Sequence, residues 1–186
     1  MRIITGKAKG TKLFTLEGKD TRPTAERTKE AVFSNLQFDI EGRVVLDLFS
    51  GSGQMGLEAL SRGARTAYMV DGSRKAVEII KRNAEKTRLM QDCRIFCEDA
   101  IAFLGGKGSL ENFDIVFLDP PYDSDLIDRA LSALAENGSV KNTSYIICES
   151  SKFDILSEKN AKRYKIIKQM KHGVAHVMIM QPQEDI

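Results

Sequence analysis

Histidine occurs twice, cysteine three times and proline four times in 186 residues. Cys93, Cys97 and Cys148 cannot all pair and show no framework spacing, which argues against a disulfide-stapled scaffold. His172 and His176 read H-x-x-x-H, but no third ligand lies nearby in sequence, so no metal site is expected and a structural or solvated place at a strand edge is. Cys93 and Cys97 alternate with Ile95 and are expected to pack on one strand face. No apolar run approaches the length that spans a bilayer, and MRIITGKAKG lacks the apolar stretch of a secretion signal, so a cytoplasmic protein without membrane contact is expected. Neither a Pro/Ser-rich linker nor an internal repeat divides the chain. One domain spanning 1–186 is the simplest organisation, long enough to bury a core.

Net charge is also small, +2, yet it is unevenly placed. Residues 1–29 hold eight Lys or Arg against Glu17, Asp20 and Glu26, a balance of +5, and the remainder sums to −3. A second basic run, 159–171, has six positive residues and no acid. A basic arm beside a mildly acidic body suggests a polyanionic partner, nucleic acid first.

The opening residues read as a short hairpin: RIIT, a GKAKGTK turn, then LFTL. TRPTAERTKEAVFSNL follows as a helix with Thr24 expected at its N-cap after Pro23, and Ala31, Val32, Phe33 and Leu36 as its apolar stripe. From there strand-like runs (43–49, 66–70, 93–97, 115–118, 145–149) alternate with helical patterns (55–62, 73–88, 100–104, 125–136). Strands that are nearly all apolar, joined by helices, imply a parallel sheet covered on both faces. The tail, roughly 163–169 and 174–180, leaves little room for a helix between its strands and is expected to form an antiparallel edge hairpin. The expected fold is an open, doubly wound α/β sheet of the Rossmann-like kind, with ligands at the carboxyl ends of its strands.

After the first strand, VLDLFSGSGQMGLEAL spells G-x-G-x-x-G with Gly51, Gly53 and Gly56, and Asp71 ends the next strand. Those glycines let the backbone approach a ligand closely but do not say which nucleoside it is. Charge separates the readings. Asp47 precedes the loop where a pyrophosphate would approach, and two like charges about 4 Å apart repel by roughly 4 kcal/mol at an effective dielectric near 20. S-adenosylmethionine has no phosphate and carries a sulfonium and an ammonium, which suits an acid there. Asp71 would accept from ribose hydroxyls, and Asp99, after the third strand, from an adenine amine.

FDIVFLDPPY ends the fourth strand of the series at that same sheet end. Proline lacks an N–H and fixes φ, so Pro120 and Pro121 must stop the ladder. An exocyclic amine on a nucleobase is a weak nucleophile, its lone pair delocalised into the ring. The Asp119 carboxylate and Pro120 carbonyl can accept its two hydrogens and turn that lone pair outward, Pro121 stiffens the turn, and Tyr122 can stack on the base.

These blocks resemble the RsmD family of S-adenosylmethionine-dependent methyltransferases, which modify the exocyclic N2 of one guanine in bacterial 16S ribosomal RNA. The likeness runs through RIITGKAKGTKL, TRPTAERTKEAVF, DLFSGSGQMGLEALSRGA, MVDGSRKAVEIIKRN, FDIVFLDPPY and IICES, nearly the whole chain. It implies a single methyltransferase domain with a basic hairpin extension over 1–23 and a catalytic core over 24–186. It implies cofactor contacts at Asp47, Ser50, Gly51, Gly53, Asp71, Asp99 and Ala100, and a target amine at Asp119, Pro120, Pro121 and Tyr122. RNA contacts are expected at Lys7, Lys9, Lys12, Arg22 and Arg27, with 16S RNA, alone or in a partly assembled small subunit, as the partner of a monomer. Gln54 stands where the family usually has a small residue, and KHGVAHV where Tyr-Gly-x-Thr is common. Competing readings are an adenine-N6 or other amine methyltransferase of DNA or RNA, a nicotinamide-dependent oxidoreductase, and a non-catalytic RNA-binding assembly factor on the same scaffold.

Overall fold

Val44, Val45 and Leu46 alternate between two separate apolar clusters, so the first strand is buried on both faces. That is the signature of a sheet sandwiched by helices. The computed structural model describes residues 1–16, 23–122 and 124–183, except the side chains of 23–25. Seven strands form one sheet: β1 Val44–Asp47, β2 Thr66–Asp71, β3 Cys93–Cys97, β4 Phe113–Leu118, β5 Val140–Ser150, β6 Tyr164–His172 and β7 Ala175–Pro182, in the order β3-β2-β1-β4-β5-β7-β6. The first five are parallel and β7 pairs antiparallel with both β5 and β6. The edge hairpin expected from the tail therefore forms, with its second strand inserted between β5 and β6.

Among the described residues six α-helices flank the strands: α1 Pro23–Asn35, α2 Gln54–Ser61, α3 Arg74–Thr87, α4 Ala100–Gly105, α5 Leu126–Glu136 and α6 Glu158–Arg163. Phe33, Leu57 and Ile80 of α1, α2 and α3 pack on one face against Val45, Phe117 and Ile147. Phe103 and Leu131 of α4 and α5 pack on the other against Leu46, Val116 and Leu118. α1 begins at Pro23, where the missing N–H costs nothing, so Thr24 falls inside the first turn instead of at the N-cap. α6 occupies part of the basic run 159–171, and its Lys159 and Arg163 pair with Glu136. Cys97 is exposed at the end of β3 while Cys93 is buried, so the two do not share a packing role.

The N-terminal hairpin is reduced to a single bridge between Arg2 and Lys12, yet it is docked firmly. Ile3, Ala8 and Leu13 join the same apolar cluster as α1 and α2. Ser61 accepts the Lys7 N–H on its carbonyl at 2.8 Å and the Ala8 N–H on its hydroxyl at 2.9 Å. Gly6 sits at φ +86° against Ser61, where a Cβ would lie 1.7 Å from the carbonyl oxygen. Only glycine fits there. Asp114, the one acid within the apolar fourth strand, accepts the Val44 N–H at 2.8 Å and faces Arg43 at 3.4 Å.

Candidate active site at the carboxyl edge of the sheet

Each of the five parallel strands delivers an acid to the same edge. Asp47 and Asp71 are the last residues of β1 and β2, Asp99 follows β3, Asp119 follows β4, and Glu149 is the penultimate residue of β5. The strand order reverses between β1 and β4, the place where open α/β sheets bind ligands. A cavity of about 650 Å³ opens there, lined by Asp71, Asp99, Asp119 and Glu149 together with Gly51 and Ala100. That volume suits a small-molecule ligand.

Asp47 does not line it. The side chain turns under the glycine loop, 3% exposed, and its Oδ2 accepts the Gly56 N–H at 3.0 Å. Burial pushes the carboxyl up to about 7, the Gly56 N–H pulls it down, and the charge of Asp71 pushes it up. Ser50 is likewise turned inward, donating its hydroxyl to the Asp47 carbonyl at 2.5 Å. Gly53 lies against Ile80 and Met69. Of the loop residues expected to touch the cofactor, Gly51 alone lines the cavity, and a Cβ on it would meet nothing within 4 Å. The other three do not line it, because Asp47 turns back to the helix start, Ser50 to the Asp47 carbonyl, and Gly53 lies against Ile80 and Met69.

Asp71 does line the cavity while holding the loop in shape. Its Oδ2 accepts the Gly51 N–H at 2.9 Å and its Oδ1 the Ser73 N–H at 2.8 Å. A carboxylate offers about four lone-pair directions, so two remain for ligand hydroxyls. Asp99 is the N-cap of α4, its Oδ1 accepting from Ile101 and Ala102 at 3.0 and 2.9 Å. Both recorded bonds fall on one oxygen, which leaves Oδ2 for the cavity. Cap chemistry and ligand chemistry thus coexist in each acid.

The DPPY turn forms the opposite wall. Asp119 is exposed, Pro120 is buried, and Tyr122 is 43% exposed with its hydroxyl donating to Glu149 Oε1 at 3.3 Å. Ser124 donates its hydroxyl to the Pro121 carbonyl at 2.8 Å. Burial raises the Glu149 carboxyl, against the pull of the Tyr122 hydroxyl and the charge of His172. Glu149 escaped the sequence reading, although YIICE repeats the pattern of an apolar strand ending in an acid. Asn83 escaped it too. Buried in α3, it donates to the carbonyls of Phe14 and Ser52, both at 2.9 Å, tying the N-terminal arm to the glycine loop. The arm then brings Leu16 to the cavity wall.

A cavity of about 60 Å³ adjoins the first, sharing Asp119 and Glu149 and bounded by Thr28, Lys29 and Gln54. Gln54 Oε1 is buried there without a hydrogen-bond partner among the described residues. Arg27 is exposed one residue before Thr28, on this side of the site. Lys7, Lys9 and Lys12 are exposed as well, but the turn bearing Lys7 and Lys9 docks at the far end of α2, eight residues or about 12 Å from the loop. Arg22 lies outside the described residues. Phe14 carries Arg82 and Lys86 over its ring at 4.2 and 4.3 Å, two basic groups near the glycine loop that charge counting passed over.

The residues at this edge fit a nucleoside ligand that has no phosphate, since four acids line the cavity and no basic side chain of the described residues does. Ribosomal RNA small subunit methyltransferase D of Haemophilus influenzae is 34% identical to this chain over 153 residues, covering 82% of it and 79% of the relative. The protein of the same description from Escherichia coli is 35% identical, covering 81% and 74%. The solved structure of yhhF from Escherichia coli matches with a TM-score of 0.86 and 29% identity over 100% of this chain and 99% of that one. The family described as conserved hypothetical protein 95 matches residues 1–181, and the chain belongs to it, the family whose likeness its sequence blocks carry under the name RsmD.

Proposed function

We propose that this chain is an S-adenosylmethionine-dependent RNA methyltransferase that transfers a methyl group to the exocyclic N2 of a guanine in 16S ribosomal RNA. The observation that carries the reading is Asp119 and the Pro120 turn facing Asp71 and Asp99 across one phosphate-repelling cavity. Asp71 would hold the ribose hydroxyls, Asp99 the adenine amine, and Gly51 and Ala100 the nucleoside faces. Asp47 acts through the loop it shapes. When bound, S-adenosylmethionine supplies a methyl group on a positively charged sulfur that departs with the bonding pair.

The chain's own residues do the rest. Asp119 and the Pro120 carbonyl accept the two hydrogens of the target amine, so that its lone pair points along the line of displacement. Tyr122 stacks on the base, worth about 1–3 kcal/mol. The amine nitrogen gains the carbon, and the proton it then sheds passes to Asp119 or to water. A paired base would first have to be extruded, so a loop or single strand is the cheaper target. The chain acts as a cytoplasmic monomer, a single domain whose first 23 residues are a basic extension of the core, on RNA alone or in a partly assembled subunit.

Total RNA from a strain lacking the protein, incubated with it and a radiolabelled methyl donor, is expected to yield labelled N2-methylguanosine in the small-subunit RNA. Asp119→Ala should abolish transfer and leave S-adenosylhomocysteine affinity within about threefold. Full transfer by that variant would overturn the role given to Asp119.

A further inference from the structure

We propose that Glu149 is the residue that makes the site read guanine, accepting the N1–H beside the amine that Asp119 holds. The inference rests on the methyltransferase reading and deepens it. Leu118 and Cys148 are register partners on the parallel strands β4 and β5, so Asp119 and Glu149 are the next residues along and leave the sheet side by side. Parallel neighbours run about 4.8 Å apart. Glu149 lines the main cavity, the small cavity beside Asp119, and a third of about 320 Å³ that shares Tyr122 with the main one. It stands where a base held by Asp119 and stacked on Tyr122 has to lie.

On guanine, the N1–H is the next donor along the edge that carries the N2 amine. With the amine drawn to Asp119, that donor enters a partly buried place and needs an acceptor, because a buried N–H left unpaired keeps its full desolvation cost. Glu149 supplies it. The Tyr122 hydroxyl donates to Oε1, and the second oxygen of Glu149 accepts no hydrogen bond among the described residues. The same hydroxyl couples the stacking ring to the reading acid. Burial, which raises the Glu149 carboxyl, makes an incoming donor more valuable. A base with a lone pair at N1, as in adenine or 2-aminopurine, would set that lone pair against the carboxylate.

The test uses the shortest fragment of small-subunit RNA that the wild type methylates, synthesised with guanine or 2-aminopurine at the methylated position. 2-Aminopurine keeps the 2-amine and lacks the N1–H. The wild type is expected to prefer guanine by about tenfold to a hundredfold in kcat/KM, the range that one base-edge contact supplies. Glu149→Gln, whose amide can donate to N1, should bring that ratio within about threefold of unity while S-adenosylhomocysteine binding stays intact. Tyr122→Phe removes the hydroxyl contact and should slow both substrates alike, keeping the ratio. If Glu149→Gln fails to bind the cofactor, Glu149→Asp, one methylene shorter with its charge kept, should still narrow the ratio. Equal use of both bases by the wild type would overturn the proposal, as would an unchanged ratio in these Glu149 variants or its collapse in Gln54→Ala instead. Failure of the wild type to methylate any RNA would overturn the underlying reading and is distinct from each of these.

Discussion

The Lys29 ammonium lies 3.4 Å from the Glu58 carboxylate, with the two side chains 1% and 0% exposed. Glu58 also accepts the N–H groups of Ile4 and Thr5 at 2.7 and 3.0 Å and faces Arg62 at 2.8 Å. Lys29 in turn donates to the Arg2 carbonyl at 2.6 Å. One buried cluster thus fastens the N-terminal arm to α1 and α2. Burial lowers the Lys29 pKa, partly offset by Glu58. Removing only the carboxylate strands two cations, and breaking a buried pair from one side costs about 3–5 kcal/mol. Glu58→Gln is expected to lose that much in urea unfolding. Lys29→Met combined with it should lose less than the two single losses together, because the second change removes the stranded charge. A loss under about 1 kcal/mol in Glu58→Gln would show that the cluster does not hold the arm.

Asp47 gives stability a pH dependence of unusual sign. Its carboxyl titrates at 3.8 when solvated and at about 7 in the fold, so the native state binds the proton more tightly. The contribution is complete below pH 3.8 and is lost as pH rises through 7, by as much as about 4 kcal/mol. Asp47→Asn keeps an acceptor for the Gly56 N–H and has nothing to titrate. Melting temperatures of the variant relative to wild type should therefore climb between pH 4 and pH 8. A constant difference across that range would mean that Asp47 is solvated.

The strands and helices of the core were legible because burial on both faces writes unbroken apolar runs, as in VVL and IVFL. The acids at strand ends were legible for the same reason, each standing out where apolar sequence stops. What those acids touch was not. Asp47 and Asp71 look alike in sequence, and only the path of the glycine loop turns one inward and the other outward. Glu149 gains its place from the register of β5 against β4, and Asn83 from a contact 69 residues away with Phe14, neither of which leaves a local mark. The sequence groups Lys7 and Lys9 with Arg27 as RNA contacts without saying how far apart they lie, and docking on Ser61 sends the first two to the far end of α2.

Gly56 predicts a packing failure. A Cβ at this position would stand 2.8 Å from Met69 Cγ and 2.9 Å from its Sδ, and Met69 is fully buried in β2. These atoms are the middle of the side chain and have no room to retreat. Gly56→Ala should cost about 1–3 kcal/mol by overpacking despite the better helix propensity of alanine. Adding Met69→Ala should make the pair less destabilising than the sum of its parts, which thermal melts of the four proteins would read. Additive losses would place the strain elsewhere.

Lys7 and Lys9 test how far the RNA reaches. Both are exposed on a turn held by Ser61, about 12 Å from the glycine loop along α2, so neither can touch the reacting base. If the RNA backbone extends over this end of the molecule, each lysine displaces counterions from a phosphate. The slope of log affinity against log salt then falls by roughly 0.7 for each lysine removed on a single strand. Lys7→Ala with Lys9→Ala is expected to flatten the slope by about 1.4 and raise KM for RNA at moderate salt, leaving kcat at saturating RNA unchanged, since phosphate contacts position the substrate without entering the chemistry. Arg27→Ala, on the Asp119 side, should flatten the slope by about half as much, one phosphate in place of two. An unaltered slope in the double variant would confine the RNA to the carboxyl edge of the sheet and leave the basic turn as a solvated part of the fold.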